Sequence, residues 1–221
     1  MKERPIIFST PMVRAILDGR KTMTRRILKP QPTENEHRKI GVIDQRHGEN
    51  DGLYYTWLDR EAEGKSKVSD DYNPDTWKCP YGTIGDRLWV REAFACRFGI
   101  IPDRYIEKYF YRADGEHEGK LKWKPSIHMP RSASRITLEI TKIRVERLNE
   151  ISEDDAKNEG VLYYGDESGD YKNYEYDDKE GDDWGVKTAK ESFQTLWESI
   201  NGKGSWEANP WVWVIEFKRK A

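Results

Sequence analysis

The sequence of 221 residues predicts an α+β fold: a small mixed β-barrel with short peripheral helices and long loop insertions. Strand-like alternating segments outnumber helical ones, and the helical ones are short. This suits a barrel with helices on its rim better than a parallel α/β sheet. Two stretches, at about 30–84 and 163–186, lack a sustained period and are rich in turn formers or acids. They read as insertions into one domain spanning 1–221, a length sufficient for a real core.

The elements follow in order. After the apolar piece IIF, Ser9-Thr10-Pro11 places a capping residue before a proline at the first helical position, and PMVRAILDG puts Met12, Val13, Ile16 and Leu17 on one side. A helix over 11–18 ending at Gly19 is expected. GRKTMTRRIL then turns into a strand with Thr22, Thr24 and Arg26 on one face and Met23, Arg25 and Ile27 on the other. Within the first insertion LYYTWL suggests a hairpin. RLWVRE alternates as a strand after the Gly85-Asp86 turn, and YFYRAD at 109–114 is a further strand candidate.

RITLEITKIRVERL alternates through Ile136, Leu138 and Ile140, then changes phase to Ile143 and Val145, which predicts a bent strand or a bulge. Ser152-Glu153-Asp154-Asp155 has capping-box spacing and opens a short helix that Gly160 ends, with Glu159 in its last turn. The acidic, Tyr- and Gly-rich tract 163–186 reads as a surface loop. VKTAKESFQTLWESI forms an amphipathic helix with Phe193, Leu196, Trp197 and Ile200 on one side, and PWVWVIEF forms the last strand.

Composition narrows the function classes. With 38 basic and 40 acidic residues the net charge is −2, so general attraction to duplex phosphates is not the main source of affinity. Cys79 and Cys96 lack a second pair, which leaves no zinc spacing and predicts two reduced thiols. No metal and no cofactor are expected. MKERPIIFSTPM has no long apolar run, and no run of about eighteen apolar residues occurs anywhere, so a soluble, cytoplasmic protein without membrane association is expected.

Three groups of residues offer chemistry. In GRKTMTRR, Lys21 stands close to the hydroxyls of Thr22 and Thr24 among Arg20, Arg25 and Arg26. An alcohol becomes a nucleophile only when a base takes its proton, and a lysine serves as base only when neutral. That requires burial or like charge to lower its pKa by roughly three units, about 4 kcal/mol. By spacing alone the same residues read first as a cationic turn at a helix end, with a grip on phosphates as a further alternative. Glu159, at a helix terminus, is either a solvated acid or a partner for that site.

WKPSIHMPR, at 123–131, sets Trp123, Lys124, His128 and Arg131 in a proline-fixed loop that suits a nucleobase, or packs as a lid. Arg91-Glu92 reaches the same cavity mouth or forms a structural ion pair. No P-loop, nucleophile elbow, paired CxxC motif or HExxH occurs.

Taken in order, GRKTMTRR at 19–26, GDRLWV at 85–90, LNEISEDDAKNEG at 148–160 and WVIEF at 213–217 resemble the ASCH domain of the PUA-like superfamily. The resemblance implies a small PUA-like β-barrel with a cleft for nucleic acid or modified nucleosides. One branch, the small bacterial N(4)-acetylcytidine amidohydrolases, uses a Lys, a Thr and a Glu, which match Lys21, Thr24 and Glu159. The implied roles are Lys21 as base, Thr24 as nucleophile and Glu159 as the residue that orients Lys21 or shuttles a proton.

This chain is about twice as long as those enzymes and carries the WKPSIHMPR loop they lack. In these features it is more similar to the larger ASCH-type proteins of phage and prophage genomes. The expected partner is a modified nucleoside or single-stranded RNA, and the oligomeric state is not set by sequence. Alternatives are a non-catalytic RNA-binding module, with Arg25, Arg26, Lys124 and Arg131 on phosphates and Trp123 stacking a base, or a ribonuclease using Lys21, Glu159 and His128.

Overall fold

The computed structural model describes residues 1–32, 38–45, 52–59, 77–101, 104–115, 117, 120–165, 170–175 and 185–220. Those residues form an α+β architecture. Its centre is a five-stranded mixed sheet built from β1 (Glu3–Ile7), β2 (Met23–Ile27), β6 (Arg87–Arg91), β9 (Thr137–Arg147) and β10 (Trp211–Arg219). The strand order is β1-β6-β9-β10-β2, with β1 parallel to β6 and every other pairing antiparallel.

The expected barrel closure is absent from the described strand pairings: the sheet is open, with β1 and β2 as its edges. A side chain bridges the two edges instead, since Arg26 of β2 donates to the Ile7 carbonyl of β1 at 2.6 Å. Phe8 follows β1 directly and its N–H bonds the Arg91 carbonyl at 3.2 Å.

Helix α1 (Thr10–Leu17) starts one residue before the expected boundary. Proline near its start needs no hydrogen bond there, and Met12, Val13, Ala15 and Ile16 enter the core. LYYTWL lies in β4 (Gly52–Asp59), which pairs with β3 (Arg38–Gln45) as the expected hairpin and also with the short β5 (Trp77–Lys78). β7 (Phe94–Ile101) and β8 (Arg104–Tyr111) form a separate hairpin. The strand expected at 109–114 thus ends at Tyr111 and passes into a single turn of 3-10 helix.

The phase change in β9 is a bulge. Along β10, Glu216 stands opposite Lys142 and Phe217 opposite Ile140, so Thr141 is the unpaired extra residue. Before it, Leu138 and Ile140 face the core; after it, Ile143 does.

Helix α2 (Glu153–Asn158) opens where expected, but only half of its capping box exists. The Ser152 hydroxyl accepts from the Asp155 N–H at 3.1 Å, whereas the Asp155 carboxylate turns to arginines of the sheet instead of reaching back. Helix α3 (Ala189–Asn201) has a complete capping box from Thr188 and Glu191, and buries Phe193, Leu196 and Trp197. Ile200, expected on the same side, is 61% exposed. Glu153 of α2 accepts from the Ala189 and Lys190 N–H groups, tying α2 to the start of α3.

Part of the acidic tract is not a free surface loop. Tyr171 bridges both Tyr163 and Val186, and Tyr171 and Tyr174 pack on the core. Residues 166–169 and 176–184 lie outside the described ones.

No helix among the described residues is long and apolar enough to cross a membrane. Cys79 is a buried free thiol, and burial pushes its pKa up to about 11. In the folded protein Cys79 should stay unmodified by iodoacetamide at pH 8 and become reactive in urea, as read by mass spectrometry. Modification in the native state at the denatured-state rate would contradict its burial.

Candidate functional site

Local geometry at the end of α1 places Lys21. Gly19 adopts a positive φ of 76°, and the Lys21 N–H returns to the Ala15 carbonyl at 2.9 Å. Lys21 then forms an isolated antiparallel bridge with Glu159, while the Thr22 N–H bonds the Asn158 carbonyl at 2.9 Å. The C-terminus of α2 therefore lies along the entry to β2. Gly160 permits this approach: its φ is 86°, and a Cβ there would stand 2.7 Å from Lys21 Cβ and 2.8 Å from Ala15 Cβ.

Two of the three residues expected to act together meet directly. Lys21 Nζ donates to Glu159 Oε2 at 2.7 Å and to the Glu159 carbonyl at 2.7 Å, with both side chains 3% exposed. Burial lowers the Lys21 pKa, against the opposing pull of Glu159, and the positive charges of Arg26 and Arg25 act in the same direction as burial. Neutral lysine is thus favoured relative to an exposed one.

Thr24 is buried two positions into β2, opposite Ile215 of β10. No hydrogen bond joins its hydroxyl to Lys21 or Glu159 among the described residues. The ring of Phe8 relates the pieces: Lys21 Nζ lies 5.6 Å and Arg26 Cζ 5.2 Å from its centroid. Arg26 shares a strand face with Thr24, so Phe8 draws the lysine toward the side of β2 that carries both. Thr22 is exposed, and its carbonyl extends the β2–β10 ladder by accepting from the Phe217 N–H.

Arg25, expected to contact nucleic acid, is withdrawn from any ligand. Its side chain is 0% exposed and pairs with Glu146, with Asp155 at 2.7 Å and with Glu159 at 3.3 Å. Burial opposes its charge, but the adjacent Glu159 and Glu146 outweigh burial and raise its pKa. Cross-strand register explains the cluster. Arg25, Val214 and Arg144 stand in one row across β2, β10 and β9, and Glu146 and Glu216 share that face. Arg144 itself pairs with Glu146 at 2.9 Å and with Asp155 and Glu216. Lys21 and Arg25 together grip the two oxygens of Glu159, which fixes that carboxylate from both sides.

The remaining expected residues lie elsewhere. Glu92 is buried and pairs with Arg135 at 2.9 Å rather than with its neighbour Arg91; burial raises its pKa against that partner. Arg91 turns its guanidinium over Trp89, 5.5 Å from the ring centroid. In the 123–131 loop, Trp123 packs on His117 with ring centroids 5.4 Å apart, Lys124 bridges Phe94 of β7, His128 is exposed, and Arg131 pairs with Glu3 at 3.0 Å. No hydrogen bond, ion pair or ring contact joins these four to Lys21, Thr24 or Glu159 among the described residues.

Sequence reasoning missed Phe8, Trp89 and the ionic partners Arg144, Glu146 and Asp155. A signal for Arg144 and Glu146 existed, because their alternation after the phase change places them on one face. Among the described residues no group of three or more His, Cys, Asp or Glu is arranged to hold a metal ion. Comparison with protein-family models, with curated proteins and with solved structures finds no match to this chain.

Proposed function

We propose that the protein binds a modified nucleoside, nucleotide or RNA and hydrolyses an amide on its base, with Lys21, Thr24 and Glu159 as the reacting groups. The observation carrying this is the buried Lys21–Glu159 pair, whose lysine is held toward its neutral form beside the strand that presents Thr24. An ASCH-type, PUA-like fold belongs to the same proposal and rests on the order of the sequence motifs, with its main sheet open between β1 and β2 among the described residues. The cytoplasmic setting proposed with it rests on the lack of a long apolar run in the sequence.

The chemistry balances as acyl transfer. Glu159 takes a proton from the Lys21 ammonium, and the neutral amine takes the Thr24 hydroxyl proton as the oxygen attacks the acyl carbonyl. The Lys21 ammonium then returns a proton to the departing amine of the base. Water, activated by the same lysine, cleaves the threonine ester. Because Lys21 Nζ is bonded twice to Glu159, its approach to Thr24 requires one of those bonds to be released as substrate enters.

Purified protein incubated with N(4)-acetylcytidine and related acylated nucleosides should release the acid, read by liquid chromatography. Thr24→Ala and Lys21→Met should each lower kcat by at least about 100-fold, the scale of general-base and nucleophile losses. Turnover that survives Thr24→Ala would sink the nucleophile role. The missing Lys21–Thr24 bond specifically favours a second reading, a non-catalytic RNA-binding module, for which no acylated substrate would turn over while RNA still binds. His128 is exposed and apart from the Lys21–Glu159 pair, so the geometry lends no support to a ribonuclease.

A further inference from the structure

We infer that the outer face of β1 and β6 is a track for a single strand of nucleic acid, with Trp89 as its base-stacking platform and arginines as its phosphate contacts. The inference rests on the proposed function only for where the strand leads.

Alternation defines the face. In β6 Leu88 and Val90 turn to the core, leaving Arg87, Trp89 and Arg91 outward and half-buried. In the parallel register Glu3 stands beside Arg87, Pro5 beside Trp89 and Ile7 beside Arg91, and all three β1 residues are exposed. Arg131 arrives from the 123–131 loop with its guanidinium 5.9 Å from the Trp89 ring centroid. Arg26 reaches over the edge to the Ile7 carbonyl. Three guanidinium groups, those of Arg87, Arg91 and Arg131, thus share this face with one carboxylate, Glu3, which pairs with Arg131 at 3.0 Å and Arg87 at 3.9 Å.

This is a local excess of positive charge on a protein of net charge −2. Arg91 has no carboxylate within ion-pair distance among the described residues, and the Nε atoms of Arg87 and Arg91 are buried without any hydrogen-bond partner. Native folds seldom leave such donors unmet, and a phosphate oxygen that draws the forks toward it would satisfy them.

The face borders the Lys21–Glu159 pair across the sheet edge, where Phe8 turns its ring to the core side, opposite to Ile7. Arg131 and Arg91 flank Trp89, the Arg91 carbonyl holds the Phe8 N–H, and the Phe8 ring lies beneath both Arg26 and Lys21. Stacking on an aromatic ring with arginines on adjacent phosphates is how single strands are held without a duplex, whose bases are already stacked on each other.

The test uses a fluorescein-labelled, unmodified single-stranded RNA 12-mer and anisotropy titration of the intact protein at two salt concentrations. Trp89→Ala should weaken binding about tenfold and Trp89→Phe by much less, as expected for loss or retention of a stacking ring. Arg131→Ala should weaken binding and reduce the slope of log K against log salt by about 0.7, one phosphate contact on a single strand. Glu3→Gln should tighten binding.

Unchanged affinity for Arg131→Ala and Glu3→Gln alike would overturn the inference even if Trp89→Ala fails to fold, as would equally tight binding of a duplex of the same sequence. Plain RNA carries no acyl group, so Trp89-dependent binding without turnover of acylated nucleosides would uphold the track while removing the hydrolase.

Discussion

Arg25→Met should lower the unfolding free energy by about 3–5 kcal/mol, read as a fall in the urea midpoint at unchanged slope. The guanidinium is wholly enclosed and serves Glu146, Asp155 and Glu159 at once. Methionine fills much of the same space, so most of the loss comes from carboxylates left buried with less positive charge, a penalty larger than the net worth of the intact pairs. Arg25→Lys should recover only part of it, because one ammonium cannot offer the planar fork that reaches carboxylates on two secondary-structure elements. Arg144→Met should cost less than Arg25→Met, since Arg144 keeps 26% of its side chain in solvent and water can replace some of its bonds. Equal losses for the two would contradict the role assigned to burial.

Gly160→Ala should be almost as damaging and should also disturb the site. A methyl group there meets Lys21 Cβ and Ala15 Cβ at 2.7 and 2.8 Å, and the residue sits at a φ of 86°. Left-handed strain costs roughly 1–2 kcal/mol and overpacking about 1–3 kcal/mol, so a loss of about 2–5 kcal/mol is expected in denaturant unfolding. Relief requires α2 and the entry to β2 to separate, which moves Glu159 off Lys21. Any activity should therefore fall by more than the loss of folded protein explains. Gly19→Ala provides the control: its φ of 76° is also positive, but a Cβ there meets nothing within 4 Å. It should cost only the conformational part, about 1–2 kcal/mol.

Much of the fold was legible because local signals and tertiary packing agree. Ser9-Thr10-Pro11 starts α1, the shift from Ile140 to Ile143 marks the Thr141 bulge, and Thr188 with Glu191 caps α3. Sheet closure was not legible, because whether edge strands β1 and β2 pair depends on their relative placement, which no period encodes. Ile200 matched the helical stripe yet lies one turn past Trp197, where the core has ended.

At the candidate site, motif order brought out Lys21 and Glu159, and the structure joins them. Arg25 was misread because a run of cations looks the same in sequence whether each meets solvent or a carboxylate. Asp155 was misread for a related reason: its spacing fits a local cap, but two arginines from distant strands compete for it more strongly. Trp89 passed unnoticed inside RLWVRE, where a strand tryptophan is ordinarily core.

The carboxylate of Glu153 on the N–H groups of Ala189 and Lys190 has a consequence for tolerance to insertion. It anchors the start of α3 to α2, and the Tyr171–Val186 bridge holds the chain on either side of 176–184 close together. Lengthening such a closed excursion costs only about 0.6 kcal/mol for each doubling of the chain in it. The acidic tract is therefore a place where this scaffold can gain or lose residues while the Lys21–Glu159 pair stays assembled, much as a drawer changes its contents without moving the cabinet.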